Sequence, residues 1–394
     1  MLAVAVALER LFTLVPPPRA ETVALEAACG RVLLEDAVAQ RAQPPFAASA
    51  MDGYAVRAAE AAAGATLSVA GEAAAGHAFT GALPPGSAVR IFTGAPVPEG
   101  ADAILIQENA TREGNHLRVD EAPPQGAYIR PAGGDFAAGA RLSAPRRLTA
   151  RDLALLAAMN VAEVQVARRP EIALIPTGDE LVHPGETPRA DQIVASNNIG
   201  LAARLTEVGA LARPCPIARD NRASLLAALE AARGADIVVT LGGASVGDHD
   251  LVAEVYGEAG LTLDFYKIAM RPGKPLMAGR LGEAMMLGLP GNPVSALVCG
   301  EIFLLPCVEA ALGLPAQPRA LAKARLAHDL PANGPREHYM RAVVRGVGRE
   351  AEAEVFENQD SSLLATLSRA NALIVRAPHA GAAAWGDVVP FMPL

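Results

Sequence analysis

The sequence predicts a multidomain protein of α/β plus β class. It has a central, mostly parallel three-layer α/β domain, an inserted β-rich domain before it and a C-terminal β domain after it. Three observations lead there. Apolar strand-like runs alternate with amphipathic helical runs from about residue 170 to 312. Short runs broken by Gly and Pro fill 41–140. A third set of short alternating strands follows a Pro-rich linker at 313–319.

The alternation carries the central domain. Residues 171–176 and 235–241 are unbroken apolar runs, the pattern of strands buried on both faces. Strands are also expected at 213–218, 261–268 and 284–289, and helices at 197–208, 222–233, 251–259 and 294–312. Strands that alternate with helices imply a largely parallel sheet covered on both sides. In the inserted region, strands are expected near 65–70, 88–93, 103–108 and 116–119. Helical patterns occupy 1–40 and return at 148–159, so 41–140 reads as an insertion between two segments, 1–40 and 141–168, of one helical domain. The α/β domain spans 169–313. The last domain, 319–394, carries strands near 320–326, 338–344, 351–356, 373–377 and 388–392.

Composition removes several function classes. The chain has 394 residues and is half hydrophobic, enough for several independent cores. Its net charge is −8 and it holds no Lys/Arg-rich run, which excludes a general nucleic-acid binder. The apolar N-terminus lacks a basic flank and is interrupted by Glu9-Arg10, so it reads as an amphipathic helix and not a signal peptide. The apolar stretch 294–312 contains Glu301 and Pro306 and reads as a core helix, so no membrane partner is expected. Cys29, Cys215, Cys299 and Cys307 form no C-x-x-C pair; they read as buried thiols of a cytoplasmic protein.

The chemistry collects at strand ends, where open α/β sheets bind ligands. Strand 171–176 runs into Thr177-Gly178-Asp179-Glu180, and 213–218 into Arg219-Asp220-Asn221. Strand 235–241 runs into a Gly-rich loop with Gly242, Gly243, Ser245, Gly247, Asp248 and Asp250, and 284–289 into Pro290-Gly291-Asn292-Pro293. Glycines before a helix admit an anion to backbone N–H groups, though the loop lacks the Walker A and dinucleotide spacings; an ordinary glycine turn is the plain alternative. Lys267, Arg271 and Lys274 lie within eight residues around Pro272-Gly273 and suit an oxyanion clamp or a solvated basic loop. The carboxylates suit Mg²⁺, a hard cation that keeps phosphate company. Asp220 and Asp250 each precede a helix and equally suit N-caps. Asp52-Gly53 and Thr93-Gly94 read first as turns.

Several strings together resemble one family, in family order and over nearly the whole chain. They are PPFAASAMDGYAV at 44–56, AVRIFTGAPVPEGADAIL at 88–105, PTGDEL at 176–181, LGGASVGDHD at 241–250, KIAMRPGKPL at 267–276 and LGLPGNPVSAL at 287–297, with EHYMRAVV at 337–344 and NQDSSLLATLSRANALI at 358–374. The chain resembles the molybdopterin molybdenumtransferases, the bacterial MoeA proteins and the E domain of gephyrin. Arg271 stands where the family usually has Lys, and Ala47-Ala48 where it usually has Asp-Asn.

The resemblance implies an elongated discontinuous domain, a barrel-like C-terminal domain, and a homodimer whose cleft joins one subunit's α/β domain to its partner's inserted domain. It implies insertion of molybdate into adenylylated molybdopterin, with Mg²⁺ and release of AMP, to give molybdenum cofactor. By motif position, it implies catalytic roles for Asp52, Thr93, Asp220, Lys267 and Arg271. Glu180, Asp220 and Asp250 are the implied metal ligands. Substrate contacts are implied for Arg130, Gly242, Gly243, Ser245, Gly247, Lys274, Pro290, Pro293, Arg341 and Ser361. The alternatives are a cofactor-binding, non-catalytic paralogue or scaffold, and a molybdopterin adenylyltransferase, which shares only the α/β part.

Overall fold

Apolar β-branched runs without an exposed face need cover on both sides, and the central sheet supplies that arrangement. In a computed structural model, which describes residues 1–243 and 251–394, the α/β region holds β1 (Glu171–Pro176), α1 (Asn197–Glu207), β2 (Leu211–Pro214), α2 (Arg222–Ala231) and β3 (Ile237–Leu241). It continues with α3 (Leu251–Glu258), β4 (Leu261–Lys267), β5 (Pro275–Leu281), β6 (Ala284–Leu289) and a long helix α4 (Pro293–Ala311) that contains a π turn at Gly300–Leu304. The sheet order is β2-β1-β3-β6-β5-β4. The first four strands are parallel; β5 and β4 run antiparallel at the edge. Leu225, Ala228, Val252, Val255 and Tyr256 of α2 and α3 pack on Ala173, Ile175, Val238, Met277 and Met286 of one face. α1 and α4 touch each other, α1 also touching β1 and β2.

The chain moves outward from β1 to β2, then returns across β1 to β3. Strand direction of travel therefore reverses between β1 and β3, which opens a crevice at their carboxyl ends. β5 was not expected from the sequence: Pro272-Gly273 and Pro275 mask it as a loop, and only its pairing with β6 and β4 makes it a strand.

α4 is long and apolar enough to cross a membrane, yet 78% of its apolar window is buried inside the fold. Of its two acidic residues, Glu301 and Glu309, Glu301 is 13% exposed and accepts from Arg204 at 2.7 Å and from Arg319. A buried carboxylate held by two guanidiniums belongs to a protein core.

The C-terminal strands β7 (Ala322–Leu326), β8 (Glu337–Arg345), β9 (Glu352–Val355), β10 (Ala372–Arg376) and β11 (Val388–Pro393) close in the order β8-β9-β7-β11-β10, with β10 pairing back to β8. Closure removes the edges of a small sheet. A two-residue strand, Met270–Arg271, adds to β8 in parallel, so the basic segment after β4 is hydrogen-bonded to the barrel.

Two compact units divide the chain, Met1–Glu21 with Ala167–Leu394, and Thr22–Val166. The helical pattern expected over 1–40 is confined to Val4–Leu14 and one 3₁₀ turn. The helix Val4–Leu14 buries Val4, Ala7, Leu8 and Leu11 and lies with the α/β region, where Arg10 grips Asp264 at 2.6 and 2.7 Å. In the second unit, residues 22–40 form short strands and one 3₁₀ turn. Leu33 and Val38 pair with Arg146 and Arg141, and the main helix is Ala150–Ala158, capped reciprocally by Thr149 and Asp152. The same unit holds a six-stranded sheet that includes Gly53–Val56, Thr66–Ala73, Ser87–Ile91, Ala103–Ile106 and His116–Val119.

Candidate functional site

Backbone bonds tie the strand ends into one rim. Thr177 N donates to Leu241 O at 3.0 Å, Gly178 N to Ala218 O at 3.0 Å, and Gly242 N to Leu289 O at 3.1 Å. Gly242 has φ of +106° and a Cβ there would stand 2.6 Å from Thr177 O, so a residue without a side chain is required. A cleft of about 230 Å³ opens at the switch point, lined by Thr177, Glu180, Asn197, Leu241, Gly291 and Pro293. Asn197 Nδ2 donates to Gly291 O at 2.8 Å and spans it. Pro290 is buried at the end of β6. Gly243 also lies on the rim with φ of +69°; Ser245, Gly247 and Asp250 fall outside the described residues.

Asp220 is not the cap of α2. Asn221 is: its side chain accepts from Ser224 N at 2.9 Å. Asp220 instead donates its backbone N–H to Asp179 Oδ1 at 3.0 Å. Partial burial, together with the neighbouring Asp179 and Glu180 carboxylates, pushes the Asp220 carboxyl above the usual range. The one local guanidinium, Arg219, is committed to the carbonyls of Gly178, Asp179 and Leu181 at 3.1, 3.0 and 2.8 Å. Crowded hard carboxylates with little local compensation suit a cation. Among the described residues no group of three or more His, Cys, Asp or Glu is arranged to hold a metal by itself. An ion here would have to complete its shell from elsewhere.

A second cleft, of about 270 Å³, lies between the α/β region and the barrel. Arg271, Lys274, Asn292, Ser295, Arg336 and Ser361 are among its lining. Lys267 is not among them; it ends β4, and its Nζ lies 5.9 Å from the Tyr266 ring centroid. The triplet of cations read from the sequence is thus split, and Arg336, just before β8 of the barrel, joins the remaining two. Sequence spacing could not show Arg336, which is far along the chain from Arg271; the signal was only its place before the EHYMRAVV string. The field of this junction is visible on His338, 8% exposed: burial first, then Arg271, Arg336, Arg341 and Arg376, push its imidazole down to about 4.

Arg341 requires correction. It is 1% exposed and does not line the cleft. Its guanidinium is enclosed in the barrel, where it donates to Gln359 Oε1, Leu363 O and Asn358 O at 3.2, 3.2 and 3.4 Å. Ser361 does line the cleft, and Asn292 Nδ2 and the Ser361 hydroxyl stand 3.0 Å apart.

In the other unit, Asp52 and Thr93 meet. Asp52 Oδ1 accepts from Thr93 N at 2.8 Å and from Thr93 Oγ1 at 2.7 Å. These bonds, with help from Arg90, hold the exposed carboxyl below its usual range. Arg130 is exposed on a two-residue strand opposite Ala48.

Residues 173–310, the doubly wound sheet with acids and glycines at its switch point, match the model of a probable molybdopterin binding domain. The flanking segments complete the family. Residues 2–160 match the MoeA N-terminal region (domain I and II) and 323–394 the MoeA C-terminal region (domain IV), so the chain belongs to the MoeA family. A molybdopterin molybdenumtransferase of Haemophilus influenzae is 39% identical over 295 residues, 74% of this chain and 73% of that one. Molybdopterin molybdenumtransferase 2 of Mycobacterium tuberculosis is 39% identical over 336 residues, 82% and 83% of the two chains. Two solved structures of MoeA proteins from Pyrococcus horikoshii align with TM-scores of 0.87 and 0.83 at 30% and 26% identity; each covers 100% of this chain, with 99% and 100% of their own covered.

Proposed function

We propose that the protein is a molybdopterin molybdenumtransferase that inserts molybdate into adenylylated molybdopterin, releases AMP and yields molybdenum cofactor. One observation carries the reading. The acid-bearing cleft and the cationic cleft share a single loop, Gly291 and Pro293 lining the first and Asn292 the second. A substrate phosphate with its metal and a separate oxyanion can therefore be held next to each other.

In this reading Arg271, Lys274 and Arg336 receive molybdate. Three cations and the Ser295 and Ser361 hydroxyls suit a tetrahedral dianion and outnumber the one carboxylate of the lining, Asp360. The Gly242-Gly243 turn admits the pterin phosphate to the backbone. Glu180 and Asp220, with Asp250, would hold Mg²⁺, which when bound neutralises phosphate charge as the adenylate departs. Asp179 fixes the Asp220 backbone and keeps the acids crowded, so the site is costly without a cation and favourable with one. Lys267, at the end of β4, lies outside the cationic cleft. The protein acts in the cytoplasm as a homodimer, Asp52, Thr93 and Arg130 of one subunit's inserted module approaching the other's α/β rim; the family resemblance supports this.

The test is direct. Full-length protein incubated with Mg²⁺, molybdate and adenylylated molybdopterin is expected to release AMP in proportion to cofactor formed. A folded sample that yields no AMP with all three present rejects the reading.

A further inference from the structure

The first N–H groups of a helix have no partners within it. The side chain at the N-cap of α4, Asn292, makes no capping bond. The barrel supplies what is missing: Val294 N donates to Ser361 O at 3.1 Å, and the Asn292 side-chain amide bonds the Ser361 hydroxyl. Ser361 thereby holds the 290–293 loop shared by the two clefts.

Ser361 is not itself held by a hydrophobic core, since Asn358, Asp360 and Ser362 around it are exposed. Gln359 holds it. Its Nε2 donates to Arg341 O at 3.0 Å and to Phe356 O at 2.7 Å. Its Oε1 accepts from Arg341 N at 2.9 Å and from Arg341 Nε at 3.2 Å. Both donors and both acceptor positions of the amide are used, a set no other side chain of that length reproduces. The rest of the Arg341 guanidinium grips Asn358 O and Leu363 O, the two ends of the same loop. Arg341 is buried and Gln359 half-buried at the edge of the cleft, and a satisfied polar network of this kind sets geometry sharply.

We propose that Gln359 is a positioning residue for the oxyanion cleft. With the enclosed Arg341 it fixes the 358–363 loop so that Ser361 caps α4, and the cap fixes Asn292 and Ser295 against Arg271 and Lys274. The inference rests on the reading of this cleft as the molybdate site. It makes the barrel a part of the anion site through a chain of hydrogen bonds, and it gives Arg341 a role without substrate contact.

The experiment uses full-length Gln359→Met, which keeps length and removes all four bonds, and Gln359→Glu, which keeps the acceptor and removes both donors. Amide exchange at Val294 is measured below the melting temperature of each variant, together with steady-state kinetics. For Gln359→Met, Val294 is expected to exchange about tenfold faster and the KM for molybdate to rise about tenfold, the change expected from loss of a hydrogen-bonded support. kcat at saturating molybdate stays within about twofold, and Gln359→Glu lies between this variant and the unsubstituted protein. If the unsubstituted protein releases no AMP, the functional reading fails separately, and calorimetric binding of inorganic molybdate replaces KM. Unchanged Val294 exchange overturns the proposal. So does faster exchange with unchanged molybdate KM or affinity, and so does a loss confined to kcat.

Discussion

Asp52 Oδ1 accepts two hydrogen bonds from Thr93, one from the backbone at 2.8 Å and one from the hydroxyl at 2.7 Å. The pairing joins two segments about 40 residues apart, and the exposed carboxylate keeps a free oxygen. Asn at position 52 retains the accepting oxygen and loses only charge. Asp52→Asn is therefore expected to keep the circular dichroism and melting curve of the unsubstituted protein while AMP release falls about 100-fold, the size associated with loss of a charged catalytic group. Retained turnover would reduce Asp52 to a turn residue.

Asp220 and Asn221 separate capping from catalysis. Asn221→Ala removes the bond to Ser224 N and is expected to cost about 1 kcal/mol in a denaturant titration, with turnover unchanged. Asp220→Asn acts the other way. Because partial burial, followed by Asp179 and Glu180, raises the Asp220 carboxyl, the charged form is penalised in the folded state. That penalty is absent below the unfolded carboxylate range and appears as pH rises through the raised folded value. Asp220→Asn should therefore stabilise the metal-free protein slightly at neutral pH, yet abolish Mg²⁺-dependent turnover. If the substitution destabilises the protein by a capping increment and turnover survives, the metal role is wrong.

The contrast shows what was legible in the letters. Strand ends were: 171–176 and 284–289 are apolar runs of limited length, and both stop at polar punctuation, so the rim could be placed from the sequence. Which of Asp220 and Asn221 caps α2 could not, because both residue types cap and the choice is made by where Asp179 stands. The substrate contact implied for Arg341 could not be checked from the sequence, because its burial depends on Gln359 and Leu363 closing over it. Arg336 was passed over for the converse reason. β5 was hidden by prolines that mark only its start, and the helical reading of 22–40 failed because Leu33 and Val38 find strand partners more than 100 residues away.

Gly273 backs the cationic segment. A Cβ there would stand 2.3 Å from Cys299 Sγ, and its φ is +102°. Gly273→Ala must displace either the helix or the segment that carries Arg271 and Lys274. We expect a loss of about 1–3 kcal/mol in stability together with a weaker affinity for molybdate, measured by calorimetry. Cys299→Ala leaves more room, and the double substitution should recover part of both losses; additive losses would show that the clash is not the cause.

His338 predicts a pH dependence with a definite sign. Its imidazole titrates at about 4 in the folded protein, held neutral by burial and by the charges of Arg271, Arg336, Arg341 and Arg376. The unfolded imidazole titrates near 6.5. Between these values the unfolded chain binds the proton and the folded one does not, so protonation favours unfolding. The stabilisation is complete above about 6.5 and is lost as pH falls toward about 4, at most about 3 kcal/mol across the window. His338→Gln should flatten this segment of a stability–pH curve measured by urea denaturation, relative to the unsubstituted protein. Molybdate bound beside Arg271 and Arg336 would screen those charges, so added molybdate should raise the His338 titration toward its ordinary value, followed by NMR of the imidazole. A downward shift or none would place the anion away from this junction.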